Sequence, residues 1–273
     1  MGEFVQVAIE SHGGQPVARV TLNRPALHNA FNETMIEELQ AAFNGFNKSS
    51  PVRAVILQAE GKSFCAGADL NWMKAMVDYS FQQNVEDAHA LASMLKTIHN
   101  CPKPVIARVH GAVFGGGVGL LAACDMAFAT DAAIFCLSEV KLGLLPAVIS
   151  PFVLKKIGQA HAQRYFLTAE KFSAAEASRI GLISEALPDV HSLDQKISNI
   201  IQALCANAPE ALSQSKVLIE QVIHFDWERA VDITTKMIAE RRISMEGQEG
   251  MKAFLEKRPP AWSLENTAAP PTH

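Results

Sequence analysis

The sequence lacks an excess of positive charge, paired cysteines and any apolar run long enough to cross a membrane, and each absence removes a class of function. Lysine and arginine number 24 against 28 acidic residues, a formal net charge of −4, and no basic stripe stands out. That balance argues against a general binder of nucleic acid or of anionic membranes. The five cysteines, Cys65, Cys101, Cys124, Cys136 and Cys205, are odd in number, scattered through apolar runs and never spaced C-x-x-C. They read as reduced core residues of a cytoplasmic protein rather than as a disulfide framework. The beginning, MGEFVQVAIE, lacks the basic-then-apolar order of a secretory signal, and no segment reaches transmembrane length. The nine histidines nowhere fall at the i, i+4 spacing of a helical zinc pair, so no metal site is expected.

What is present is ample core material, 49% hydrophobic residues over 273, enough for one large domain or a domain with an appendage. Val5, Val7 and Ile9 alternate, as do Ala18, Val20 and Leu22, and SHGGQP between them supplies the turn of a hairpin. Met35, Ile36, Leu39, Ala42, Phe43 and Phe46 fall at helical spacing behind Asn32, a helix cap. Arg24 and His28 flank the entrance to that helix, either as solvated loop residues or as holders of a phosphate. Ala54 to Leu57, Val105 to Val109, Met126 to Ala129 and Ile134 to Leu137 read as short strands, so a unit of two strands and a helix recurs without a strict period. From Ser173 the chain changes character. SAAE reads as a capping box, and helices are expected over Leu193 to Asn207, Pro209 to His224, Trp227 to Arg242 and Met245 to Glu256. The apolar face of the third, with Trp227, Val231 and Ile238, needs a partner, and ENTAAPPTH is expected to be a loose tail. The expected organisation is α/β, with a core over residues 1–192 and a helical region over 193–273.

Two stretches have the same unusual grammar of strand, glycine turn and helix start: GKSFCAGADL and KPVIARVHGAVFGGGVGLLAACD. A helix start carries free backbone N–H groups and partial positive charge, and glycines let a ligand oxygen approach them. Two such turns could converge their N–H groups on one oxygen, as an oxyanion hole requires. Two alternatives stay open. Gly115 and Gly119 have the small-xxx-small spacing of close helix packing. Gly117 to Ala122 also fits G-x-G-x-x-A, with Glu139 at the distance of a ribose-binding acid, which would make the chain a nicotinamide-dependent oxidoreductase.

FCAGADL and HGAVFGGGVGL, with LNRPALHNA and SAAEASRIGLI, resemble the crotonase superfamily of enoyl-CoA hydratases and isomerases, from the first hairpin to about Trp262. The resemblance implies a spiral of β-β-α units with a C-terminal helical region that builds a homo-trimer or hexamer. It implies stabilisation of a thioester enolate by the N–H groups of Ala68 and Gly116, with coenzyme A as the carrier of the substrate and no separate cofactor. Coenzyme A contacts would come from Arg24, Leu27, Ala66, Asp69 and Leu70, and from Phe254 and Lys257 of the AFLEK segment. Hydratases of the family carry two glutamates; the later one matches Glu139, and the earlier position is Gly119, where a side chain is expected to be accepted unless the packing is tight. GADLNWMK and VKLGLLPAVISPFVLKKIG are most similar to bacterial members acting on branched substrates such as methylglutaconyl-CoA. The expected function is hydration of such an enoyl-CoA. Isomerisation of a 3-enoyl thioester, decarboxylation, or acyl-CoA binding without catalysis are the other readings. For Glu139 itself, the structural alternative to catalysis is a strand-end carboxylate paired with Lys141.

Overall fold

The structure, a computed structural model of the chain, describes residues 2–223 and 226–263. The hairpin forms as its alternation requires, β1 (Val5–His12) pairing antiparallel with β2 (Gln15–Leu22) from Val5↔Leu22 to His12↔Gln15. Helix α1 (Glu33–Asn44) follows, capped by Asn32, whose side chain accepts the Met35 N–H at 3.0 Å.

Three turns of a spiral come next. In the first, β3 (Ala54–Ala59) leads into β4 (Ser63–Cys65), then α2 (Leu70–Val77) and α3 (Phe81–His99). In the second, β5 (Val105–Val109) leads into β6 (Ala112–Phe114) and α4 (Gly116–Ala123). The third has β7 (Met126–Thr130), β8 (Ile134–Cys136), a 3-10 turn at Glu139–Leu142 and α5 (Ser150–Thr168). The first strands of the three turns pair parallel with one another, β3 with β5 and β5 with β7, inside a six-stranded sheet that adds β1 and β2 at one edge and β10 (Glu185–Leu187) at the other. The second strands pair likewise, β4 with β6 and β6 with β8, in a four-stranded sheet closed by the short β9 (Phe172–Ser173). Each turn of chain therefore puts one strand in each sheet. At the corner between β5 and β6, Gly111 lies so close to the Lys62 carbonyl that a Cβ there would overlap it.

Burial follows the two-residue period of the strands. Val55 and Leu57 face the main core with α1, α3 and α4, while Ala54 and Ile56 face the other side with Ile106 and Phe128. That second face is covered by α7 (Val190–Ala206) through Leu193, Ile197, Ile201 and Cys205, so the expected boundary at residue 193 falls inside a helix that packs on the sheet. Helix α4 is apolar all round and buried from Gly117 to Ala123, a helix enclosed by protein with only its beginning free. Beyond it in the chain, α6 (Ala174–Arg179) begins at Ser173, which accepts the Glu176 N–H at 3.2 Å. The Glu176 carboxylate completes no reciprocal box, because it instead accepts the Tyr165 hydroxyl and binds Arg179.

Helices α8 (Pro209–Val222), α9 (Trp227–Ile243) and α10 (Met245–Leu255) close the chain; α8 and α9 contain no buried residue. His224, at the expected end of α8, and the tail 265–273 lie outside the described residues. Two long helices have no counterpart in the sequence reading. Helix α3 is so polar in its first half that no face stands out, and Gly158 interrupts the helical geometry of α5 (φ 69°, ψ 169°) and with it the period. No helix among the described residues is long and apolar enough to cross a membrane.

Candidate active site

β4, β6 and β8 lie side by side and parallel, so whatever follows each of them is delivered to one place. Ala68 comes three residues after the last residue of β4, Gly116 two after that of β6, and Glu139 three after that of β8. The turns touch. A Cβ on Gly115 would stand 3.9 Å from the Gly67 Cα and 3.3 Å from Oε1 of Glu139. At Gly115 (φ 51°, ψ −120°) the chain swings from strand to helix while its N–H donates to the Cys136 carbonyl at 2.9 Å, a conformation that a residue with a Cβ adopts only with strain.

Ala68 is held by a single β-bridge to Phe31. The Phe31 N–H donates to the Gly67 carbonyl at 2.7 Å and the Asp69 N–H donates to the Phe31 carbonyl at 2.8 Å. In an extended chain, successive N–H groups point to opposite sides, so the Ala68 N–H points away from Phe31. It has no acceptor among the described residues, and neither has the N–H of Gly116, the first residue of α4. Ala68 is exposed and Gly116 half-buried, so a ligand oxygen can reach both. The positive end of the α4 dipole adds to the attraction for a developing negative charge.

Glu139 opens its 3-10 turn half-buried. Its Oε2 is buried without a hydrogen-bond partner, and no ion pair joins it to Lys141 among the described residues, so the strand-end salt bridge does not form. Burial pushes its carboxyl above the ordinary range, opposed only by a hydrogen bond to its own backbone. A carboxylate with a raised affinity for protons and a free oxygen beside two unused amides is equipped to take a proton and return it. The neighbouring thiol of Cys65 is not a competing nucleophile, since burial pushes it up to about 12.

Gly119 contributes no side chain, and the structure shows why one cannot be added there. A Cβ would overlap the side chain of Ile149, itself buried. The packing is tight, and the position reserved for a second carboxylate is apolar wall. The same glycines answer the nicotinamide reading: a Cβ on Gly117 would stand 2.5 Å from the Cys65 carbonyl, so Gly117 and Gly119 serve contact with protein and leave no room there for a pyrophosphate.

The residues expected to hold coenzyme A are placed as follows. Arg24, Ala66 and Asp69 lie together at the Ala68 turn, the Ala66 N–H donating to the His28 carbonyl at 3.0 Å and Arg24 pairing with Asp69 at 2.9 Å. Burial works against the charge of Asp69, but the Asn71 amide and Arg24 outweigh it and hold its carboxyl below the ordinary range. Leu27 and Leu70 present exposed side chains on either side. Phe254 and Lys257 sit exposed at the end of α10, which packs on α8 and α9. Sequence reasoning missed Phe31, Asn29 and Ile149. Asn29 is fully buried, donating to the Glu60 and Ser63 carbonyls at 2.8 Å while its Oδ1 accepts the Arg24 N–H. An Asn in a loop signals a turn, but nothing in the sequence says which distant carbonyls it closes on.

The family model described as enoyl-CoA hydratase/isomerase matches residues 12–265. A Bacillus subtilis protein called putative enoyl-CoA hydratase/isomerase YngF is 32% identical over 260 residues, 94% of this chain and 97% of its own. An Arabidopsis thaliana protein called peroxisomal Delta(3,5)-Delta(2,4)-dienoyl-CoA isomerase is 28% identical over 265 residues, 93% of this chain and 95% of its own. The crystal structure of an enoyl-CoA hydratase from Shewanella pealeana is similar with a TM-score of 0.90 and 41% identity, over 95% of this chain and 96% of that one.

The raised affinity of Glu139 for protons has a consequence for stability. Above its pKa in the fold the carboxylate is charged and desolvated, a cost that the neutral amide of Glu139→Gln avoids; below the pKa of an ordinary carboxylate both are neutral and the cost vanishes. Glu139→Gln is therefore expected to melt higher than the parent at neutral pH, with the difference closing as the pH falls below about 4. Thermal melts at both pH values check this, and a variant less stable at neutral pH would mean that Glu139 has a counter-charge.

Proposed function

The chain belongs to the enoyl-CoA hydratase/isomerase family, and from that premise we propose that it hydrates a branched 2-enoyl-CoA, with methylglutaconyl-CoA as the candidate, using Glu139 as its one acid–base residue. The observation that carries the reading is the Glu139 carboxylate itself, one oxygen against Gly115 and the other without a partner among the described residues, beside two N–H groups that have no acceptor among them.

The chemistry balances with one carboxylate. The thioester carbonyl oxygen accepts the Ala68 and Gly116 N–H groups. Water adds to C3 while Glu139 takes its proton, and the π pair of the double bond moves through C2 onto the carbonyl oxygen. The enolate then collapses as C2 takes the proton back from Glu139, which leaves the carboxylate as it began. Both N–H groups gain strength as the oxygen becomes an anion, so they lower the barrier more than they tighten binding. The apolar wall of Gly119 and Ile149 leaves no second carboxylate to steady the water, and a distal carboxylate on the substrate would supply one.

That same wall favours a second reading. Moving a double bond from C3 to C2 needs no water: Glu139 takes a proton from C2, the dienolate rests in the hole, and C4 receives the proton. A panel of crotonyl, 3-enoyl and methylglutaconyl thioesters separates the two. Hydration of methylglutaconyl-CoA is expected to exceed that of crotonyl-CoA by at least about tenfold in kcat/KM; turnover confined to the 3-enoyl thioester would make the protein an isomerase. In either case Glu139→Gln should lose at least about a hundredfold in kcat with KM within a few fold. A folded Glu139→Gln protein of undiminished turnover would contradict the assignment.

Assembly into a trimer or hexamer belongs to the same proposal. Trp227 and Ile243 on α9, and Met245 and Phe254 on α10, are each more than four-fifths exposed, more apolar surface than a monomer leaves to water. Light scattering at micromolar concentration is expected to give three or six copies, and a monomer would contradict it.

A further inference from the structure

The Ala68 N–H can act only if it is aimed, and the turn that carries it has few bonds of its own. Phe31 makes the bridge that orients it, and Phe31 stands at the end of a loop that must itself be fixed. Arg24 does the fixing. One arm of its guanidinium donates to the Ala30 carbonyl at 2.7 Å, next to Phe31, and the other donates to Asp69 at 2.9 Å, next to Ala68. The pair is almost closed to water, with side chains 11% and 6% exposed, and the guanidinium lies over the Phe4 ring at 4.5 Å. Asp69 in turn accepts the Asn71 and Trp72 N–H groups at the start of α2.

Resting on the oxyanion-hole reading above, we infer that Arg24 and Asp69 are positioning residues, whose buried ion pair clamps the loop at residues 24–31 onto the turn at 66–70 and so aims the Ala68 N–H at the reacting carbonyl. Both terminal nitrogens of the Arg24 guanidinium and both Asp69 oxygens thus have partners within the protein. A buried pair broken on one side leaves an uncompensated charge, so the clamp fails as a unit. A misdirected donor loses rate before it loses affinity, because the hydrogen bond strengthens only as the negative charge develops.

The test uses acetoacetyl-CoA, whose acidic C2 gives an enolate that absorbs in the near ultraviolet, together with kcat and KM on the best substrate. Asp69→Asn keeps an oxygen to cap α2 but removes the charge, and Arg24→Lys keeps the charge but loses the second arm. Asp69→Asn is expected to lower the enolate fraction of the bound ligand and to cut kcat by about ten- to a hundredfold, with KM changed by less than about threefold. Arg24→Lys should lie between it and the parent. A raised KM with the enolate band and kcat intact would overturn the inference in favour of direct coenzyme A binding; a lowered melting temperature with both intact would reduce the pair to a structural contact. If the parent protein itself produces no enolate band, the oxyanion-hole reading fails and the inference falls with it, an outcome distinct from a band that the variants leave unchanged.

Discussion

Parallel pairing of β4, β6 and β8 is the constraint on which the rest depends. The register Cys65↔Val113 and Phe114↔Cys136 puts the ends of three strands in one row, and Ala68, Gly116 and Glu139 follow them within two or three residues. No one of the three segments forms a site alone. The spiral supplies the adjacency, since each turn of chain contributes one strand to the large sheet, crosses a corner and lays its second strand beside the one before. Positioning by strands rather than by long loops suits a hole whose donors must be held before the charge appears.

The electrostatic arrangement is costly to the fold. Glu139 is desolvated with no cation to offset it among the described residues, where its Oε2 also lacks a partner, both unfavourable in a resting protein. The two N–H groups of Ala68 and Gly116 likewise have no acceptor among the described residues. A thioester carbonyl would satisfy the donors, and a proton from the substrate would neutralise the carboxylate. The unsatisfied groups of the site are thus complementary to the proposed reaction. Arg24 and Asp69, by contrast, have partners within the protein.

Much of this was legible in the residues. The hairpin, the α1 cap and the short buried strands follow from alternation and spacing, and the two glycine turns announce two helix starts. Glu139 was visible through the family resemblance, which puts the later of two glutamates at that position. What stayed hidden depends on contacts between distant segments. Ile149 fills the space beside Gly119, so the absence of a second carboxylate is a packed state rather than a vacancy waiting for one. Arg24 and Asp69, which the resemblance assigns to coenzyme A contacts, also bind each other across 45 residues of chain. α3 and α5 escaped notice for local reasons, one being weakly amphipathic and the other broken at Gly158.

The central claim is that Ala68 and Gly116 stabilise an enolate that Glu139 forms and quenches. Exchange of the C2 protons of a saturated acyl-CoA in deuterium oxide measures that step alone, since such a thioester can be neither hydrated nor isomerised. Followed by proton NMR, butyryl-CoA is expected to take up deuterium at C2 with the parent protein and to take up none above background with Glu139→Gln. Exchange that persists undiminished in the variant, or a parent that turns over enoyl-CoA yet never exchanges C2, would contradict the account.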